Sequence, residues 1–205
     1  MAANTLAPSG FSTSRQYAGG SPNYAQRSFN IAYNYATQIA FGDPCKLFTD
    51  GTVRLFAKGD TTILGIFRGC RYLSAATGRV EWFAGWTAPT LASTTVVECF
   101  VDNDPLMTFQ AQMRGTAITQ SSIGLNVDIF TGTSGVPTLA PALISTCALD
   151  ATPANTATLP FRILRIVGAP ANGAPFNYSE LNDNQILEVM MNTNPYPAGT
   201  RTGQA

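Results

Sequence analysis

Histidine is absent from this chain of 205 residues, and charged side chains make up only 12% of it. Without histidine the chain lacks the commonest general base and the commonest metal ligand, so neither a Ser–His–Asp nor a Cys–His constellation can be built within it. Its four cysteines show no C-x-x-C spacing, which argues against a zinc site made of Cys and His. We therefore expect no enzyme, no bound metal and no cofactor.

Net charge is also lacking, because twelve basic residues balance twelve acidic ones. Electrostatic capture of nucleic acid needs clustered Lys and Arg, so we expect no direct nucleic-acid partner. Hydrophobic residues nevertheless make up 45% of the chain. Charged residues are depleted at the cores of protein–protein interfaces, so this composition favours a protein that works within an assembly.

Long apolar runs are missing as well. The first residues, MAANTLAPSG, have neither the basic nor the apolar region of a secretory signal, and no stretch approaches the length of a membrane span. Each cysteine sits in or beside an apolar segment, where a thiol packs as a small hydrophobe; these are Cys45, Cys70, Cys99 and Cys147. We expect synthesis in a reducing cytoplasm, buried free thiols and no membrane partner.

Short β-type segments separated by turns are what the chain does contain, chiefly over residues 41–113. Asp50-Gly51 between two apolar runs is a strong hairpin signal. Residues 123–129 show the most regular alternation of apolar and polar residues. About eight or nine strands at roughly ten-residue spacing predict an all-β fold, either a single β-sandwich or a small β-barrel.

Two tryptophans stand out in residues 80–86. With period-two alternation, Trp82 and Trp86 project to the same side as Val80 and Ala84, and this predicts that both rings lie in the core. An alternative is that the two rings form an exposed platform, as in a carbohydrate-binding or host-attachment module that binds surface glycans.

The acidic residues suggest no reaction centre. Asp102-Asn103-Asp104 resembles the start of a calcium loop but lacks its later Gly and Glu, and Pro105 follows at once, so a β-turn is predicted. Glu81 and Glu98 each alternate with apolar residues on a strand, which is typical of a solvated face rather than a pair of glycosidase carboxylates.

Three regions are predicted along the chain. Residues 1–29, rich in Ala, Gly and Ser but carrying several rings, are predicted to form an extended N-terminal arm. Residues 30–192 are predicted to form the β-rich body, and residues 193–205 a C-terminal tail.

Read from end to end, the chain resembles the head decoration (cement) proteins of tailed bacteriophages. Five segments in order are similar to motifs of that family: LAPSGFSTSRQYAGGSPN (6–23), FGDPCKLFTDGTV (41–53), ILGIFRGCRYL (63–73), VECFVDNDPLMTFQAQ (97–112) and ATLPFRILRIV (157–167). Gly-Asp-Pro and Asp-Pro turns are common individually, so the resemblance is carried by their order and spacing.

This resemblance implies a structural virion protein on the outer surface of an icosahedral capsid. It implies a homotrimer that clamps neighbouring subunits of the major capsid protein and thereby stabilises the shell. The predicted contact residues lie in the arm and the tail: Phe11, Arg15, Tyr17, Tyr24, Arg27 and Tyr196. A tail-tube or fibre protein of the same virion is a further alternative.

Overall fold

A computed structural model of the chain describes residues 6–22, 24, 26–88, 91, 94–130, 143–167 and 184–195. Their regular structure is almost entirely β, which confirms the all-β prediction, and one 3-10 helix lies at Gln120–Ser122. The strands are β1 (Ser12–Gln16), β2 (Gln26–Ile31), β3 (Pro44–Leu47), β4 (Val53–Leu55), β5 (Gly65–Leu73), β6 (Val80–Phe83), β7 (Val97–Asp102), β8 (Met107–Arg114), β9 (Asn126–Val127), β10 (Ile129–Phe130), β11 (Ala148–Asp150), β12 (Phe161–Val167) and β13 (Ile186–Met191). No helix in this described part is long and apolar enough to cross a membrane.

Six strands form the first sheet, in the order β2-β7-β5-β3-β4, with β6 paired to the second half of β5. A bridge between Asn30 and Thr52 joins the two ends of this order, so the sheet curls into a small barrel. The hairpin predicted at Asp50-Gly51 is confirmed between β3 and β4. Gly51 has φ of +80° there, and Asp50 accepts a hydrogen bond from the backbone N–H of Thr52.

Seven strands form the second sheet, in the order β10-β11-β8-β13-β12-β9, with β1 paired to β8. All its pairs are antiparallel except β11 with β8. The longest strands, β8, β12 and β13, lie side by side, and alternate residues of β8 from Met107 to Met113 point into the core.

Two hydrophobic cores result. The barrel core fills the inside of the first sheet with residues such as Phe67, Trp86 and Val97. The sandwich core lies on one face of the second sheet, where Ile66 of β5 and the neighbouring Phe56 pack against it. Successive residues of β5 therefore serve different cores, because side chains alternate across a strand. This explains why the residues before Arg71 in β5 are buried on both sides.

Residues 123–129, predicted as one regular strand, are instead divided. The 3-10 helix precedes them, and only the two-residue strands β9 and β10 form, on either side of Asp128. Asp128 accepts a hydrogen bond from the backbone N–H of the next residue, Ile129, and a second one from that of Gly59. The second bond ties this stretch to the β4–β5 connection. A short polar side chain that bonds nearby backbone competes with a continuous ladder.

The N-terminal region also differs from its prediction. β1 and β2 lie within residues 12–31 and belong to the two sheets, so this stretch is part of the body rather than of an extended arm. The segment before β1 is held tightly, because a Cβ on Gly10 would stand 2.4 Å from Cβ of Ser145, and Phe11 N–H donates to the carbonyl of Gly42 at 2.9 Å. Only the last three residues of the described chain, 193–195, fall in the predicted tail.

Candidate functional site

The outer face of the barrel is exposed around β6. Four apolar side chains there are more than half exposed: Leu73, Val80, Trp82 and Val96. Strand register places three of them together, since Leu73 lies opposite Val80, and Trp82 lies opposite Arg71. Val96 lies two positions before Glu98 of β7, which is also opposite Arg71. We call this surface, with Arg71 and Phe100 between its apolar members, the Trp82 face.

The indole of Trp82 rests on the backbone of β5. A Cβ built on Gly69 would stand 2.5 Å from Cζ2 and 2.8 Å from Cε2 of the ring. Gly69 also follows the bulge in β5 and has φ of +132°, a backbone conformation that L side chains rarely adopt. Glycine thus lets the indole lie close to the sheet, where the backbone supports it while 57% of the residue stays exposed.

Polar groups flank this aromatic platform. Arg71 Nε donates to Oε2 of Glu98 at 2.6 Å, and its guanidinium carbon lies 5.6 Å from the ring centroid of Phe100. An open groove of about 390 Å³ is lined by Gln26, Arg71, Val80, Glu81, Trp82 and Phe100. An exposed indole beside an ion-paired guanidinium suits binding, because Trp and Arg are the residue types enriched in binding hot spots.

Trp86 occupies the opposite environment. It is fully buried in the barrel core, donates its indole N–H to the carbonyl of Tyr35 at 2.9 Å, and meets Tyr72 edge-on. The prediction that both rings lie in the core is therefore right for Trp86 and wrong for Trp82. Strand β6 ends at Phe83, and Trp86 instead forms a separate bridge with Ile39, so period two does not extend across residues 84–86.

Two of the predicted capsid contacts, Phe11 and Arg15, make contacts within the folded body instead. Phe11 is 1% exposed and its ring stacks on Phe161 at 4.5 Å between centroids. Arg15 lies on β1 and donates Nε and Nη2 to the carboxylate of Glu188, at 2.8 and 3.0 Å. In this conformation Phe11 offers no surface to a partner.

Three other predicted contact residues lie on the surface. Tyr17 and Tyr24 are both well exposed, and Arg27 is exposed on β2. Tyr24 has φ of +47°, which is uncommon for a residue with a side chain. Tyr196 lies outside the described residues.

A hydrogen-bonded ion-pair cluster, centred on the carboxylate of Glu188, lies on the outer face of the second sheet. Glu188 of β13 is 1% exposed and accepts hydrogen bonds from Arg15, from Nε of Arg165 and from Oγ1 of Thr108. Burial raises the pKa of Glu188, but the hydrogen bonds from Arg15, Arg165 and Thr108 outweigh burial and lower this pKa to about 2. The cluster links β1, β8, β13 and β12, so its role is to hold four strands together.

The acidic residues considered in the sequence have structural partners. Asp102 is buried and pairs with Nε of Arg68 at 2.6 Å, and Arg68 also donates to the carbonyl of Phe11. This ion pair therefore anchors the N-terminal segment to the barrel. Glu98 pairs with Arg71, and Glu81 accepts a hydrogen bond from the hydroxyl of Thr77.

The four cysteines are free thiols, as predicted, although Cys147 is only partly buried. Burial raises the pKa of Cys70 and of Cys99 to about 12, so in the closed fold both thiols stay protonated at neutral pH and are poor nucleophiles. Within the described ranges, no three His, Cys, Asp or Glu side chains are grouped so as to hold a metal ion.

The exposed partners of Trp82 were missed by sequence reasoning. Three of these apolar residues lie at one end of, or just before, a segment whose pattern is typical of a core strand: Leu73, Val80 and Val96. Nothing in the local sequence shows which side of the sheet is covered. A usable signal was Gly69 on β5, because an isolated glycine inside a strand marks a bulge or a close approach.

Comparisons with known proteins add no family assignment: no family model, curated protein or solved structure matches the chain.

Proposed function

We propose that this chain is a head decoration protein of a tailed bacteriophage. In this proposal it binds the outer surface of an icosahedral capsid, clamps neighbouring subunits of the major capsid protein and so stabilises the shell. Synthesis takes place in the host cytoplasm, and the assembled form is a homotrimer. The ordered series of family-like segments supports this proposal, and all of these segments contribute strands to the two sheets: β1, β3 and β4, β5, β7 and β8, and β12.

The observation that carries the proposal is the Trp82 face. An aromatic residue held rigidly on a sheet, ringed by Leu73, Val80 and Val96, exposes an apolar surface of the kind that marks protein interaction sites. Little conformational entropy is lost when a preorganised ring is covered, so binding is favoured. We assign this face to the capsid contact.

Capsid stabilisation then follows from mass action. A protein that binds only the assembled, expanded shell stabilises it by the free energy of binding at each site, and the effect is repeated over many sites. Tyr17, Tyr24 and Arg27 are available as additional contacts, because each is exposed. Phe11 and Arg15 contribute indirectly by holding β1 in the body.

The test compares Trp82→Ala with Ile186→Ala in binding to expanded shells of the phage whose genome encodes the chain. Ile186 is the matched control, since it is an exposed apolar residue on the second sheet. Removal of a hot-spot tryptophan costs about 2 kcal/mol or more, so the affinity of Trp82→Ala should fall about 30-fold, whereas Ile186→Ala should bind normally. Shells decorated with wild type should also withstand a higher temperature than bare shells.

Three outcomes count against these assignments, each in a different way. Normal decoration by Trp82→Ala would remove the Trp82 face from the capsid contact. Failure of the wild-type chain to bind expanded shells at all would reject the decoration function, and a ring or filament seen in electron micrographs of the native particle would favour a tube or fibre protein.

A second candidate function is glycan binding at the same groove. It is favoured by the exposed indole of Trp82 beside the polar groups of Gln26, Arg71 and Glu81, since a pyranose ring stacks on an aromatic face and forms hydrogen bonds at its rim. The buried Trp86 means that the two tryptophans do not form a joint platform. A glycan array probed with wild type and Trp82→Ala decides this, because only glycan binding gives hits that the substitution abolishes.

A further inference from the structure

Cys70 and Cys99 face each other across two neighbouring strands. They are register partners in the antiparallel pair of β5 and β7, and both are free and fully buried in the barrel core. Register partners of an antiparallel pair project to the same side of the sheet, so the two thiols point into the same core.

The alternation of backbone hydrogen bonds along β5 determines the distance between the Cα atoms of Cys70 and Cys99. Ser74 N–H donates to the carbonyl of Arg79 at 2.8 Å, which makes these two residues a hydrogen-bonded pair at the β6 edge. Residues along a strand alternate in the edge that their backbone groups face, so Cys70 also bonds towards β6 and not towards β7. Cys70 and Cys99 are thus a non-hydrogen-bonded pair, for which Cα atoms lie about 4.5 Å apart.

That separation is compatible with a disulfide, which requires Cα atoms roughly 4.4 to 6.8 Å apart. The other two cysteines lack such a partner in the ladder. Cys45 lies in the same core but opposes Gly65 on β5, and Cys147 packs beside the sandwich core.

We propose that Cys70 and Cys99 form a cross-strand disulfide when the protein meets a small-molecule disulfide such as oxidised glutathione. One cysteine thiolate attacks a sulfur of oxidised glutathione, forming a mixed disulfide and releasing one glutathione. The second thiolate then attacks the protein-bound sulfur, forms the Cys70–Cys99 bond and releases the second glutathione. The two protein thiols are oxidised, the oxidant is reduced to two thiols, and the two cysteine protons end on these glutathiones.

The rate of this exchange is set by access. Strand β6 and the residues after it cover Cys70, whose Sγ lies 3.7 Å from the carbonyl oxygen of Gly85. Burial also raises the pKa of both thiols, so little thiolate is present in the closed fold. Exchange is therefore slow in the native protein and fast when the edge strand opens or while the chain refolds. The inference depends on strand register and not on the proposed capsid function.

The experiment refolds the full chain from denaturant in reduced or in oxidised glutathione. Free thiols are counted, disulfide-linked peptides are mapped by mass spectrometry, and Tm is measured. With oxidised glutathione we expect the count to fall from four thiols to two, with Cys70 linked to Cys99. Tm should rise by about 5 to 10 °C, because the bond closes a loop of about 30 residues, and a reductant should reverse the rise.

Serine variants provide the controls. Cys70→Ser and Cys99→Ser should each keep all three remaining thiols and show no rise in Tm, whereas Cys147→Ser should drop from three thiols to one. Retention of four thiols by the refolded wild type would overturn the proposal, as would a map that links Cys45 to Cys99. If a serine variant fails to fold, the peptide map of the wild type decides the matter by itself.

Discussion

Replacement of Glu188 by glutamine should remove the main electrostatic tie across the second sheet. The carboxylate accepts hydrogen bonds from Arg15 and Thr108 at 2.8 Å and from Arg165, all while 1% exposed. A glutamine of the same shape would present an NH₂ group to two guanidinium groups that can only donate. The variant should therefore fold to the same structure with lower stability.

The magnitude follows from the pKa of Glu188. A fall of this pKa from 4.5 to about 2 corresponds to about 3 kcal/mol of stability at neutral pH. The arginine side chains are 44% and 48% exposed, so solvent screening reduces the contribution to about 2 kcal/mol. For a chain of this size, Tm should fall by about 4 to 8 °C.

The pH dependence gives a signature that a packing defect would not. Because the pKa of Glu188 is lower in the folded state than the unfolded value of 4.5, the folded state binds fewer protons between these two values. Its contribution is complete above pH 4.5 and is lost as pH falls to about 2. The difference in unfolding free energy between wild type and Glu188→Gln should therefore be largest at neutral pH and shrink as pH falls through this range.

Urea unfolding followed by tryptophan fluorescence at pH 7 and at pH 3 measures this difference. Glu98→Gln is the matched control, since Glu98 pairs with Arg71 at the surface and such pairs contribute less than about 1 kcal/mol. The reasoning is refuted if Glu188→Gln is as stable as wild type at pH 7, or if its deficit is the same at both pH values.

Two further predictions concern packing. Phe11→Ala should lower the unfolding free energy by about 3 to 5 kcal/mol in denaturant melts, because it deletes a buried ring stacked on Phe161. Tyr17→Ala, at an exposed position, should change this free energy by less than about 0.5 kcal/mol. Equal effects of the two substitutions would contradict the placement of Phe11 in the core. Gly69→Ala should lower the unfolding free energy by about 2 kcal/mol more than Gly78→Ala does. Both glycines have positive φ, but only Gly69 has the indole of Trp82 above it. Similar losses of unfolding free energy in the two variants would show that the ring does not rest there.

Much of the fold was predictable because its signals are local. The Asp50-Gly51 turn specifies a hairpin whatever surrounds it, and alternation over β8 identifies both the strand and its buried row. Local signals failed to predict the strands where a single residue interrupts or shifts the hydrogen bonds between neighbouring strands. Asp128 divides a strand that reads as continuous, and the β5 bulge shifts the register at Gly69.

The candidate site was less predictable, because exposure depends on contacts between sheets. Alternation in residues 80–86 correctly puts Val80 and Trp82 on one side but carries no information about what covers that side. The same limit applies to Phe11, which is a core residue although its neighbours in the sequence are Gly and Ser, residues typical of flexible segments. It also applies to Arg15, because its partner Glu188 lies 173 positions further along the chain.

The sequence by itself determined the all-β class, through period-two patterning and its turn signals. The absence of histidine and the few charges limit the chemical groups that the chain can supply, and they say nothing about its fold. Tertiary structure alone decided which faces remain open. The second sheet packs on Ile66 and Phe56 and leaves the region around β6 uncovered, so Trp82 stays at the surface while Trp86 closes the barrel core. The physical reason is that an alternating strand has two equivalent sides until another layer buries one of them.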